Sequence, residues 1–308
     1  MNSSSSATAE APNASRAVAS APIRPFYWSV RRELWENRAL YLAPLIVAVV
    51  VFLGFIVSAI GLPERRRAVL LLDPAKARAA ISEPYDGAAM LLIFTAFLVG
   101  VFYCLDALHG ERRDRSILFW KSLPVSDLTT VLSKVTVPLV VLPLVAFAVI
   151  VATQFLMLLW TSVLLIFHGM NPGSTWTHVH LFQDSLILFY GLVVLSLWHA
   201  PIYGWLLLVS SWARRATFLW AVLPWLALAA VETIAFRTVH VWRLLGDRLM
   251  NWAGAAFEFK TRGAFAIESL SQLSPGKFLG TPGLWIGLAF AAVFLAAAVR
   301  LRRYRGPI

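Results

Sequence analysis

Six times along this chain an apolar run of roughly 20 residues recurs, and that recurrence limits what the chain can fold into more than any other feature. A helix needs about 20 apolar residues to cross about 30 Å of hydrocarbon. The runs fall near 39–60, 87–108, 135–167, 185–211, 217–236 and 283–299. Composition agrees: 59% of residues are hydrophobic and 14% charged, against about 25% charged in a soluble domain. A water-facing exterior needs more polar surface than that. The expected class is therefore all-α, a polytopic membrane protein with six transmembrane helices.

The segments between the runs set the remaining expectations. Residues 1–24, rich in Ser and Ala, read as a disordered cytoplasmic tail ahead of one membrane domain over 25–308. In PFYWSVRRELWENR, Pro25 to Arg38, helical spacing gathers Phe26, Tyr27, Val30 and Leu34 on one face. Arg32, Glu33 and Glu36 lie opposite, which predicts an amphipathic helix at the membrane interface. Pro44, Pro138, Pro143, Pro201 and Pro224 fall inside runs, where neighbouring helices can satisfy the freed backbone groups. With both termini in the cytoplasm, 16 of the 27 Lys and Arg lie inside and 11 outside, the sense the positive-inside rule favours. The net charge of +11 is thus an orientation signal at membrane surfaces, and nucleic acid is not an expected partner. The single cysteine, Cys104, lies in an apolar run and reads as a small packing residue.

Catalytic patterns are missing. GxxxxGK[ST] has no match, since Gly276-Lys277 is followed by Phe278, and HExxH and CxxC do not occur. No catalytic residue, metal site or cofactor of the chain's own is expected. His178-x-His180 with Asp184 offers too few ligands at no diagnostic spacing. Two ionisable residues sit within runs: His199, two residues before Pro201, and Glu232 in the fifth. Such groups are costly in hydrocarbon and face a protein interior or a wet cavity. They are candidates for a translocation path, or else an interhelical hydrogen bond and a snorkelling carboxylate. Gly283, Gly287 and Ala291 recur every four residues and let two helices approach closely, within the chain or across a dimer seam.

The most informative stretch is Glu111 to Lys134, ERRDRSILFWKSLPVSDLTTVLSK. Its first half can form a short helix with Glu111 and Arg115 as an i,i+4 pair. Pro124 ends that helix, and Ser126 or Asp127 can cap the next. Ile117, Leu118, Phe119 and Trp120 among charged neighbours suit docking on a soluble partner, with Trp120 the candidate anchor.

On this stretch the chain resembles the ABC-2 type family of ABC exporter permeases. The resemblance lies in L-x-x-ER-x-D-x-S-I-L-F-W-K-S-L-P-V-S, Leu108 to Ser126, and in Ser133-Lys134. It continues in APIYGWLLLVSSWARRATFLWAVLP, Ala200 to Pro224, and in Glu232. Together with the six-run plan it covers about Pro25 to Arg305. It implies the membrane-spanning subunit of an ATP-driven exporter in a bacterial inner membrane, paired as a homodimer or heterodimer. ATP and Mg would be used by a separate ABC ATP-binding subunit, so the chain itself would not be an enzyme. Carried over, Glu111, Arg112, Ser116, Trp120, Ser122, Leu123 and Pro124 become the segment that couples to the ATPase. Rival classes are a secondary transporter using His199 and Glu232 for protons, and a non-transporting membrane scaffold. The first would more often show an internal repeat, and none is evident.

Overall fold

The computed structural model describes residues 25–69, 72–258 and 270–308. The expected tail over 1–24 lies outside the described residues. No strand occurs among them, only an isolated antiparallel bridge between Phe257 and Leu273.

Six helices are long and apolar enough to cross a membrane. In chain order the helices are α1 (Pro25–Glu36), α2 (Ala39–Ser58), α3 (Leu62–Val69), α4 (Pro74–Ala107), α5 (His109–Arg113), α6 (Ser116–Ser122), α7 (Asp127–Thr136) and α8 (Leu142–Phe167). There follow α9 (Gly173–His178), α10 (Leu181–Trp212), α11 (Thr217–Phe236), α12 (His240–Met250), α13 (Trp252–Ala256), α14 (Pro275–Gly280) and α15 (Pro282–Tyr304). The first span, α2, runs on in a 3-10 turn over Ala59–Gly61. The third span combines α7, a π-helical turn over Val137–Val141 and α8. The wide turn contains Pro138, which lacks a donor, and Pro143 follows just inside α8; the helix passes both without breaking. The second and fourth spans, α4 and α10, extend past the apolar runs that mark them in the sequence.

The central helix is α10. Its buried residues extend along its length, from Ile187 to Ser211. It packs most extensively on α15, where the backbone of Ala291 approaches Gly204 so closely that a Cβ there would lie 3.3 Å from Ala291 Cα. The small residues of the last span therefore serve packing within the chain. Leu40, Leu92, Cys104, Ile150 and Leu207 form the main core between α2, α4, α8 and α10. By contrast α11 buries only Ala221 and Ala229.

Contacts fix which segments share an end of the bundle. Residues of α1, α5, α6, the start of α7 and the end of α15 meet at one end, named below the ion-cluster end. At the opposite end α3 touches α9 through Arg66 and Thr175. The described parts of the connection after the fifth span pack back on the bundle. Arg248 of α12 reaches the Trp198 and Gly283 carbonyls and lies 4.6 Å from the Trp198 ring, so α12 and α13 pack onto α10 itself.

Candidate functional site

The first half of Glu111–Lys134 does not fold as the single short helix expected, but as two, α5 and α6. The chain leaves α5 at Asp114 and turns through Arg115, which has a left-handed backbone (φ +59°), before α6 starts at Ser116. The i,i+4 pair of Glu111 with Arg115 is therefore not made. An exposed pair of that kind is worth about 0.3–0.5 kcal/mol. Glu111 instead turns inward to three cations from other helices. Pro124 follows the end of α6, and Ser126 Oγ accepts from Thr129 N at 3.1 Å, capping α7 as the sequence suggests.

Those inward-turned groups form a compact ionic cluster. Lys134 Nζ lies 2.8 Å from Glu33 Oε1 and 3.1 Å from Glu111 Oε1. Arg32 Nη2 reaches the same two oxygens at 2.7 and 3.2 Å. The other oxygen of Glu33 accepts from the Tyr103 hydroxyl at 2.8 Å, and the other oxygen of Glu111 from Arg302 Nη2 at 3.0 Å. Arg302 Nη1 lies 3.5 Å from Asp127 Oδ1. Lys134 and Glu33 are only 2% and 1% exposed, so each requires a partner in a medium where an isolated ion is very costly. Burial pushes the Glu33 carboxyl up, yet the Lys134 ammonium and Arg32 guanidinium outweigh it and hold the group below the ordinary carboxylate value. For Arg32, burial lowers the pKa, and the carboxylates of Glu33, Glu36 and Glu111 reverse that to a net rise.

The cluster changes the reading of α1. The helix is present, but Arg32 and Glu33 turn into the protein, Leu34 packs against the main core, and Glu36 is exposed along with Phe26, Tyr27, Trp28 and Trp35. Glu33 and Arg32 were expected on the outward polar face; ion pairing with α5 and α7 explains the reversal.

Arg112 plays a second fastening role. Its Nη1 donates to the Ser211 and Ala213 carbonyls at 2.9 and 3.2 Å, satisfying acceptors at the C-terminal end of α10. Ser210 Oγ accepts from the backbone N–H groups of Leu108 and His109 at 3.0 and 2.8 Å. The final residues brace the same corner. Ile308 N donates to Arg112 O at 3.2 Å, and Lys121 Nζ donates to the Arg303 and Arg305 carbonyls, both at 3.3 Å.

On α6, Leu118 and Phe119 are 60% and 59% exposed. Trp120 is half-buried: its ring lies 3.8 Å from Arg32 Cζ and packs edge-on to Phe119 at 4.9 Å. Ile117 is buried beneath. Ser116 is partly buried, with Oγ 3.4 Å from the Glu111 carbonyl it donates to, while Ser122, Leu123 and Pro124 are exposed. The exposed apolar pair thus sits on a helix whose neighbours are held by the cluster.

The other sequence candidates lie apart from this site. His199 is buried; its Nδ1 lies 2.8 Å from the Leu195 carbonyl and its ring is edge-on to Phe97 at 5.2 Å. The Glu232 carboxylate accepts from Thr238 Oγ1 (2.6 Å), His240 N (2.7 Å), Val241 N (2.7 Å) and His240 Nδ1 (2.8 Å). It joins the end of α11 to the start of α12, and no contact joins it to His199. Gly283, Gly287 and Ala291 face Arg248 and Gly204. The His178 side chain is outside the described residues, among which no group of three or more His, Cys, Asp or Glu could hold a metal. Glu33, Lys134, Tyr103 and Arg302 were missed by sequence reasoning. Lys134 had a signal: a lysine directly followed by the apolar run VTVPLVV is a charge inside a span.

No family model matches the chain, and neither a curated protein nor a solved structure matches it.

Proposed function

We propose that this chain is the membrane-spanning permease subunit of an ATP-driven exporter of the ABC-2 type, working in a bacterial inner membrane. In this reading the ion-cluster end and both termini are cytoplasmic, and α1 lies at the interface with its exposed aromatic face toward lipid. A separate ABC ATP-binding subunit uses ATP and Mg, and two permease chains, identical or related, form the membrane half.

The observation that carries the reading is the pairing of an exposed Leu118–Phe119 face with a buried ionic brace. A docking helix that transmits force needs an anchor for the partner and stiff attachment to the spans. Leu118 and Phe119 supply apolar surface, flanked by Lys121, Ser122, Leu123 and Pro124. Glu111 ties the segment to α1, α7 and α15, and Arg112 ties it to α10. A push on α6 is then felt by four helices at once, which is what switching a two-state bundle by a partner requires. His199 and Glu232 give the secondary-transporter reading little support, because Glu232 is fully engaged in backbone and side-chain hydrogen bonds.

The test is copurification with the ATP-binding subunit, followed by hydrolysis and transport in reconstituted complexes. Phe119→Ala with Leu118→Ser should reduce recovered ATPase by tenfold or more, about the effect of losing an interface anchor, with unchanged membrane level. Trp120→Ala should uncouple hydrolysis from transport by loosening α6 from Arg32. Normal assembly, hydrolysis and transport in both variants would overturn the assignment of this segment to coupling.

A further inference from the structure

Away from the ion cluster, α3 carries Arg65, Arg66 and Arg67 in succession. Arg65 and Arg67 are exposed, as a charged run beside a span ought to be. Arg66 is turned inward and is only 7% exposed. Its Nη2 donates to Thr175 Oγ1 of α9, itself fully buried, and its Nε is buried with no hydrogen-bond partner. Among the described residues it forms no ion pair, and the Tyr85 phenol is the ionisable group that acts on it. Tyr85 in turn shares a hydrogen bond with Thr161 at 3.2 Å. Burial pushes the Arg66 pKa down, but a guanidinium remains charged throughout the working pH range. Glu64, the nearest carboxylate in sequence, is exposed and makes no ion pair with it.

A buried, uncompensated cation is costly, and no carboxylate among the described residues pairs with this one. An anionic ligand would supply the missing charge. A planar fork with an unused Nε donor and a neighbouring hydroxyl suits a tetrahedral oxyanion, which accepts several charge-assisted hydrogen bonds at once. The first span ends at Gly61, so Arg66 lies just beyond it in the chain.

We infer that Arg66 and Thr175 form a phosphate-binding site at the end of the bundle opposite the ion cluster. The ligand is a phosphate monoester, diester or free phosphate, held by the guanidinium fork with the Thr175 hydroxyl beside it. The inference stands on the membrane-spanning architecture and needs no exporter function.

The test is thermal unfolding of the full chain in lipid-free detergent, titrated separately with phosphatidylglycerol, with diacylglycerol of the same acyl chains, and with inorganic phosphate. Wild type should gain several degrees with phosphatidylglycerol and nothing with diacylglycerol. A matching gain with inorganic phosphate identifies a free-phosphate site, and its absence identifies a lipid headgroup. Arg66→Met should lose the gain and, with no ligand present, unfold no lower than wild type, because its uncompensated charge is gone. Thr175→Val should keep the gain with half-saturation about threefold to tenfold weaker, the size of one lost hydrogen bond. Arg67→Met, an exposed neighbour, should behave as wild type. A wild-type protein indifferent to both phosphatidylglycerol and phosphate overturns the site. So does an Arg66→Met protein with the full gain. Should Arg66→Met not fold, an unchanged half-saturation in Thr175→Val overturns it equally.

Discussion

At one end of the bundle Lys134 lies between Glu33 and Glu111, with Arg32, Arg302, Asp127 and Tyr103 around them. At the other end Arg66 is nearly as buried and meets one threonine hydroxyl. Both ends place a charge where water is scarce, but the first pairs its cations with carboxylates of the chain, and at the second no carboxylate among the described residues pairs with Arg66. A closed ionic set specifies which helices meet, since each ion depends on residues from others; an open one leaves a demand that a ligand can meet. Charge alone would not separate these cases, because α3 and α5 are both short, basic and next to a span.

The largest effect should come from opening the closed set. Lys134→Met leaves Glu33 and Glu111 short of a counter-ion, and breaking a buried pair from one side costs about 3–5 kcal/mol. Thermal or denaturant unfolding in detergent should show that loss. Combining it with Glu33→Gln should restore part of the stability, because the orphaned carboxylate is then neutral. A double variant no more stable than the sum of the singles would mean that the two groups are not coupled. Arg66→Met at the other end is expected to cost nothing without ligand, so the loss should appear at the ion-cluster end alone.

A second effect tests the most extensive helix contact of the bundle, that of α10 with α15. A Cβ at Gly204 would lie 3.3 Å from both Cα and O of Ala291, backbone atoms that would have to give, and 3.5 Å from Phe294 Cβ. Gly204→Val should destabilise by about 1–3 kcal/mol through overpacking. Loss of that size measured by unfolding would show that the α10–α15 contact is tightly packed at Gly204. No loss would mean that the two helices separate freely.

The sequence made the six spans legible because each is a run of apolar residues at membrane length, and the Ser126 cap because its spacing is local. It also pointed to Glu111 and Arg112 as residues of consequence. It could not show that they face inward, since partners such as Glu33 and Arg302 lie far off in the chain and only the packed bundle brings them together. For α1 the helix was legible but not its facing: Arg32 and Glu33 turn to counter-ions far off in the chain, Leu34 packs on the core, and Glu36 stays exposed with the aromatics. Arg66 is hidden in the same way, one of three consecutive arginines that differ only in direction.

Glu232 offers a smaller test at the junction beyond the fifth span. Its carboxylate accepts from the first backbone N–H groups of α12, so Glu232→Gln keeps the shape, loses the charge and should loosen the α11–α12 junction. Limited proteolysis should then cut sooner near Thr238–His240. Unchanged stability together with lost transport would instead restore Glu232 to a translocation path.

The smallest effect concerns pH, and its sign follows from Glu33. Its carboxyl is held below the ordinary value of 4.5 by Lys134 and Arg32 in spite of burial. The folded state therefore binds the Glu33 proton more weakly than the unfolded chain does. Above the ordinary value both states are ionised, and the contribution of the cluster is fully present. As pH falls below it, the unfolded state takes up the proton first, and the contribution is lost until the folded carboxyl is protonated too. The unfolding midpoint should thus be nearly flat in this respect from neutral pH to about pH 5 and fall below that. In Glu33→Gln, already less stable at neutral pH, the acid fall should be shallower. Arg66 keeps its charge throughout, so Arg66→Met should leave the slope unchanged, although Glu36, with a carboxyl raised by burial, works against the fall over the same range. An acid slope identical in wild type and Glu33→Gln would place the titrating group elsewhere and remove Glu33 as the pH-sensitive member of the closed set.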